Sequence, residues 1–427
     1  MFWRNEFSSL CISSQSVRRI AAFDTEYSLD AGDASEKSFV PELSISLKTS
    51  SPLSQLVLIS RLCNGAKFEG NTKISVHQRT IKGDPTDTAV LRFAEESLHK
   101  CLSLDNTADV LQLLKDDYKN IIEIPFNSRN KWMMSVIKYN TKTDSNGSEL
   151  WMLIKGAPDV LFPSATSILN AEGKPVPFDL AHQSRLSELQ HKWSSEGQRV
   201  IAVCKRSLDL LKFPKDETEL EEMLYNELED LTLVGLISIR DPPRADVKDA
   251  VKVIRSAGVR IFMITGDFMI TAVAIAKQVF NLHFFRFRLA AILINLFFQV
   301  GIITQDRYDT IHNLSRSESS GTGDEQEKSK EKETKETSIT VLVPEAAAMK
   351  PTDDSDDPIK AIVLTGDDVE QLTGENWNTI LTEYTEIVFS RTTPEQKMLI
   401  VGETKKRGDN IVAVVSSILF ILFLCFI

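Results

Sequence analysis

The chain is poor in the residues that staple small folds or hold metals. Five cysteines (Cys11, Cys63, Cys101, Cys204, Cys425) are scattered over 427 residues without a Cys-x-x-Cys pair, and six histidines are equally dispersed. That usage predicts neither a disulfide framework nor a zinc centre, and it fits a reducing environment. Positive charge is also in deficit: 49 Lys and Arg against 60 Asp and Glu leave a net charge of −11. With no basic stripe carrying interleaved aromatics, nucleic acid is not an expected partner, and an anionic ligand has to find its positive charge locally. No Walker loop is present, which argues against a soluble kinase of that type. Long apolar runs are few. The N-terminus has no basic, apolar and small-residue succession, so it is not expected to act as a secretory signal. Leu289–Ile303 is 15 residues long and broken by Asn295 and Gln299, short of the roughly 20 that span a bilayer. Ile411–Ile427, 17 residues without a charge, is marginally long enough for a tail anchor, with a buried segment as the other reading.

What is present reads as a folded protein of two or three domains. Hydrophobic residues make up 42% and charged residues 26%, ordinary values for a globular chain of this length. Residues 1–50 are Ser-rich and weakly periodic, which predicts an irregular lead-in. From Ser51 the pattern becomes globular, with helices expected over Leu53–Leu62 and Thr86–His99, the second opened by Gly83-Asp84-Pro85. Strand-like runs follow at Ile121–Ile124, Trp132–Tyr139, Leu150–Ile154 and Arg199–Cys204, with the turn Asp144–Gly147 between two of them. These predict an antiparallel α+β domain over residues 51–237.

The remainder has a different pattern. Leu231–Ile239 is a nearly continuous apolar run ended by Asp241-Pro242-Pro243-Arg244, as expected of a strand covered on both faces. A helical stripe over Asp246–Ala257, a strand over Arg260–Ile264 and a helix after Asp267 complete a strand-helix-strand-helix series, which predicts a parallel α/β unit over residues 238–414. In such a unit ligands sit at the carboxyl ends of strands, where Asp241 and Thr265-Gly266-Asp267 fall. Gly266 lets backbone amides approach an anion, Thr265 supplies a hydroxyl, and the next helix N-terminus favours negative charge. A plain strand-to-helix turn explains the same three residues equally well.

Company makes the motif specific. Gly83-Asp-Pro-Thr-Asp87, Ile124-Pro-Phe-Asn-Ser128 with Asn130-Lys131, Lys155-Gly-Ala-Pro158, Gly197-Gln-Arg199, Asp241-Pro-Pro-Arg244, Thr265-Gly-Asp267 and Arg391-Thr-Thr-Pro-Glu-Gln-Lys397 occur in that order. The ordered set resembles the P-type cation-transporting ATPases, most of all the α subunits of sodium/potassium and proton/potassium pumps, over roughly residues 50 to 414. The resemblance implies a nucleotide-binding domain followed by part of a haloacid-dehalogenase-like, Rossmann-type phosphorylation domain. It implies ATP as ligand, Mg2+ as the parent family's metal, a β subunit and a plasma membrane as the family's partners, and a cytoplasmic side for these domains. Phe126 then resembles the aromatic that stacks on adenine, Lys131 and Lys155, with Gly156 beside it, the pocket residues near the nucleotide, and Arg199 the arginine that pairs with phosphates. Asp87 aligns with a pocket glutamate, and Met133 stands where the family has a glutamine. Asp241, Thr265, Gly266 and Asp267 match residues around the transferred phosphoryl group, and Lys397 matches the lysine that neutralises it. Arg391 is open to a structural reading.

Two family motifs do not occur in these 427 residues. Neither Asp-Lys-Thr-Gly-Thr nor Thr-Gly-Asp-Gly-Val-Asn-Asp is present. Phe23-Asp24-Thr25-Glu26 is read as a coincidence, and Thr365-Gly-Asp-Asp-Val369, which precedes Arg391–Lys397, is assigned no metal. The resulting expectation is a truncated pump piece that retains ATP binding but by itself neither phosphorylates nor transports, cytosolic or weakly membrane-associated through 411–427. The alternative is a non-catalytic nucleotide-binding or interaction protein derived from the pump, tail-anchored through 411–427. Residues 280–300, bracketed by repeated Gln-Val pairs, are expected to be an unspliced insert, 315–337 a solvated Glu/Lys/Ser-rich loop, and 415–427 an apolar read-through tail.

Overall fold

In a computed structural model of the chain, the described residues are 15–29, 37–38, 50–70, 74, 76–102, 110–140, 148–208, 224, 228–241, 247–257, 260–278, 310, 361–384, 386–407, 412–414 and 423–425. Their largest element is a ten-stranded sheet. Its strands are β1 (Ser16–Ala22), β2 (Thr25–Ser28), β3 (Lys37–Ser38), β6 (Tyr118–Ile124), β7 (Trp132–Asn140), β8 (Ser148–Gly156), β9 (Ala165–Leu169), β10 (Pro175–Pro177), β11 (Gln198–Leu208) and β12 (Leu231–Arg240). Strands β4 (Lys67–Glu69) and β5 (Thr80–Lys82) form a separate ribbon. The main order is β3-β2-β1-β12-β11-β8-β7-β6, antiparallel from β2 to β6.

Period-two alternation divides the side chains between two cores. Met133, Ile137 and Leu153 face a core with Leu56, Ile59, Val90 and Ala94 of helices α1 (Pro52–Leu62) and α2 (Pro85–Cys101). Met134, Val136 and Ile154 face the opposite core, closed by Leu186 and Trp193 of the helix Leu180–Ser195. Both α1 and α2 begin as their sequences dictate. Ser51 and Asp84 are N-caps whose side chains accept from Ser54 N and Thr86 N, and Pro52 and Pro85 occupy the first turn, where a missing N–H costs nothing.

A smaller parallel sheet runs in the order β13 (Phe262–Ile264), β15 (Glu386–Ser390), β14 (Ala361–Thr365). Helices Val247–Ser256 and Met269–Gln278 pack on one face, and Gly374–Glu383 and Pro394–Lys406 on the other. Three consecutive helices here carry capping boxes, at Thr365/Asp368, Thr373/Asn376 and Thr393/Gln396.

The structure corrects two expectations. Leu231–Arg240 is no strand of the parallel unit; it lies in the large sheet, antiparallel to both β1 and β11. Its apolar run reflects helices on both faces of that sheet, a condition met equally by a parallel or an antiparallel neighbourhood. The expected irregular lead-in likewise contributes β1 and β2, joined at Phe23-Asp24, so Phe23–Glu26 belongs to a hairpin. Short amphipathic strands such as Ser16–Ala22 carry little periodic signal until a partner covers them. Gly235 shows how close that partner is. A Cβ there would stand 2.3 Å from Ala21 O and 2.6 Å from Leu56 Cδ1. The insert 280–300, the loop 315–337 and most of 415–427 lie outside the described residues; of the last, Phe423–Cys425 is described and pairs with Val412–Val414. Among the described residues no helix is long and apolar enough to cross a membrane.

Candidate functional site

Strands β7 and β8 place one group of predicted residues through their register. Met133 stands opposite Lys155, and Trp132 opposite Gly156. The Lys155 side chain points toward the first turn of α2, where its Nζ lies 2.7 Å from Asp87 Oδ1. Asp87 also accepts from Gly65 N at 2.9 Å through its other oxygen. Lys155 is only 5% exposed, yet its Nζ makes no aligned hydrogen bond to any protein atom among the described residues. A buried ammonium is costly unless it is paired, and the Asp87 carboxylate supplies that pair. Below it lies Cys63, whose thiol is pushed up to about 11 by burial, against the opposing pull of the Lys155 charge.

Gly156 has a structural reason to be glycine. A Cβ would meet Lys131 O at 2.7 Å and Trp132 at 2.7 Å, because Ala157 N donates to Lys131 O across the strand end. Lys131 itself adopts φ 61°. It closes a tight loop in which Asn127 Oδ1 accepts from Arg129 N and Asn130 N, and Asn127 O accepts from Lys131 N. Burial lowers the Lys131 ammonium below its ordinary range, and the charge of Arg391 lowers it further. Phe126, on the same loop, is 57% exposed. A large aromatic ring left this exposed on a loop is available for stacking, and it is not part of the core.

A second group meets the first at the N-terminus of α2. Arg199, on β11, donates to Thr86 Oγ1 at 3.0 Å, one residue before Asp87. The same guanidinium makes two hydrogen bonds to Asp267 Oδ1, at 3.0 Å from Nε and 2.7 Å from Nη2. The Asp267 charge raises the already high Arg199 pKa, with burial opposing. Asp267 is held in turn: its N–H donates to Thr265 Oγ1, which donates to Asp267 Oδ2. Thr265 N donates to Phe389 O, and Thr265 O accepts from Thr392. Gly266 is exposed and has room for a Cβ, its nearest neighbour being Thr392 O at 3.5 Å.

Asp241 follows β12 and accepts from Gln15 Nε2 at 2.7 Å. Burial pushes its carboxyl up to about 6, while the Arg199 charge pulls it down. Lys397 is half-buried in the first turn of the helix Pro394–Lys406, and burial lowers its ammonium against the attraction of Asp267. The structure therefore gathers Asp87, Met133, Lys155 and Gly156 at one strand end, and Arg199, Asp241, Asp267 and Lys397 at a neighbouring one. Among the described residues no three His, Cys, Asp or Glu side chains stand close enough to hold a metal.

Sequence reasoning missed Thr86, Asp159 and Gln15. Thr86 carried a signal, since the capping sequence Asp84-Pro85 fixes which residues start α2. Asp159 and Gln15 carried none, because their partners Arg391 and Asp241 are 232 and 226 residues away. Arg391, open between roles at first, has φ 57° and pairs with Asp159.

Residues 52–246 match the family model described as P-type ATPase, cytoplasmic domain N. The chain is 33% identical over 362 residues to the sodium/potassium-transporting ATPase subunit alpha-2 of Bos taurus, covering 84% of this chain and 29% of the relative. It is 34% identical over 366 residues to the sodium/potassium-transporting ATPase subunit alpha of Tetronarce californica, with 84% and 29% covered. Against the potassium-transporting ATPase alpha chain 2 of Oryctolagus cuniculus it is 30% identical over 368 residues, with 86% and 28% covered. The chain thus matches less than a third of the length of these curated relatives.

Proposed function

The chain belongs to the P-type cation-transporting ATPase family, residues 52–246 matching its cytoplasmic domain N, and from this premise we propose that it binds ATP. The adenine would stack on Phe126, and Lys155 would donate to the nucleotide at the floor of the pocket. Lys131 and Arg199 would face the phosphates, as a flexible ammonium and a forked guanidinium suit polyanion recognition. The carrying observation is the buried ammonium of Lys155, paired with Asp87 at the end of β8, together with the exposed ring of Phe126 on the loop between β6 and β7. Asp87 holds that ammonium in place through its ion pair. Met133 lies at the same strand end and offers an apolar contact without an amide hydrogen bond.

ATP, when bound, supplies a transferable γ-phosphoryl group. Within these 427 residues we assign the chain's side chains to binding and orientation only. Asp241, Thr265, Gly266, Asp267 and Lys397 would line a phosphoryl site, but the sequence contains no Asp-Lys-Thr-Gly-Thr to provide the acceptor. Phosphoenzyme formation and ion transport are therefore not proposed for these residues alone. The β subunit and the membrane rest on the resemblance to whole pumps and are not assigned to a surface here.

Titration of the full chain with a fluorescent ATP analogue tests the reading. Saturable binding is expected, weakened roughly ten- to hundredfold by Lys155→Ala, the range of a charge-assisted hydrogen bond. No saturable signal, or unchanged affinity in the variant, would refute it.

A further inference from the structure

Arg199, proposed above to face the phosphates, is already engaged. Arg199 spends two of its donors on one carboxylate oxygen of Asp267, across from the large sheet to the loop after β13. Asp267 is 9% exposed at its side chain and Arg199 28%, so the pair is largely withdrawn from solvent and the competition for the guanidinium is not screened away. Other contacts hold the same two surfaces together. Thr271 Oγ1 donates to Gln198 O at 3.2 Å, next to Arg199. Arg391 pairs with Asp159, Arg129 Nη2 lies 3.8 Å from Glu395, and the His191 and Phe268 rings are 6.0 Å apart.

We propose that Asp267 is a specificity-determining residue: its carboxylate stands in for a phosphate on Arg199, so that a nucleotide gains this arginine only by displacing Asp267. The two surfaces would then be clasped without nucleotide. A polyphosphate carries enough charge to compete with a single carboxylate, whereas an uncharged nucleoside has nothing to exchange for the Asp267 contact. Discrimination between adenosine and ATP would depend on Asp267 as well as on the cations. The inference rests on the nucleotide-binding reading for its ligand, although the clasp itself does not.

Asp267→Asn keeps the side-chain size and removes the charge that competes for Arg199. With the full chain, the variant is expected to bind the fluorescent ATP analogue roughly tenfold tighter than wild type, while competition by adenosine is unchanged. Equal ATP affinity in wild type and Asp267→Asn, or a parallel gain for adenosine, would overturn the proposal while leaving nucleotide binding intact. Absence of ATP binding by both proteins would refute the nucleotide reading and this competition together.

Discussion

Lys205 offers a test of the folded sheet that is independent of any ligand. It sits on β11 and is 5% exposed, with Nζ 2.5 Å from Gln55 Oε1 and 4.6 Å from the centre of the Trp151 ring. Burial pushes its ammonium from 10.5 down to about 8. The folded chain therefore holds that proton about 3 kcal/mol less tightly than the unfolded chain does. Because the folded value is the lower one, the penalty is fully present below about pH 8 and disappears as pH rises through about 10.5, so this group makes the protein more stable in alkali. Lys205→Met removes the titration while keeping an unbranched apolar stem against Trp151. It also removes a donor to Gln55 and a cation over the indole, each a cost of order 1 kcal/mol that does not depend on pH in the variant. The absolute stability of the variant is thus not the diagnostic quantity. The diagnostic is the gap between wild type and variant, measured by urea unfolding followed through tryptophan fluorescence. From pH 7 to pH 10 that gap should shift by roughly 2 to 3 kcal/mol in favour of wild type. A constant gap, or one moving the other way, would refute the assignment of a strained buried ammonium.

Further outcomes follow from other sites. Phe126→Ala should leave the unfolding midpoint nearly unchanged, since the ring is 57% exposed, but should weaken the ATP analogue by about 1–3 kcal/mol. Glu95→Gln should destabilise the fold by about 3–5 kcal/mol in chemical denaturation, because Glu95 is the buried partner of Arg61 at 2.7 Å and lies 3.9 Å from Arg79. Gly235→Ala should cost about 1–3 kcal/mol in the same assay, as β12 must move off β1 and Leu56. Asp241 has a folded value of about 6 against an ordinary 3.8, so its native form holds a proton more tightly and its contribution to stability falls as pH rises between those values. Asp241→Asn should flatten that part of the stability–pH curve, and an unaltered slope would refute the shift.

The legibility of the chain varies with the range of the interactions. Helix starts were readable because caps are local: Ser51-Pro52 and Asp84-Pro85 need only their own backbone. The β7 and β8 hairpin was readable because adjacent apolar runs pair across a turn. Ser16–Ala22 was not, since its partner Leu231–Arg240 lies more than 200 residues on, and nothing in a short run reveals so distant a neighbour. For the same reason the sheet to which Leu231–Arg240 belongs could not be read from its apolarity. Among the candidate site residues, types and order were legible, whereas pairings were not. Gly156 entered as a ligand neighbour, and its glycine is required by the backbone of Lys131.

The sequence by itself determined the kinship to P-type pumps, the positions of the cations and the aromatic ring, and the absence of an Asp-Lys-Thr-Gly-Thr motif within these residues, because residue type and order are covalent facts. Only the tertiary structure decided that Lys155 is buried against Asp87 and that Arg199 is held by Asp267. Whether a charge is free, paired or desolvated depends on groups brought near it through space, and chain order does not specify that distance.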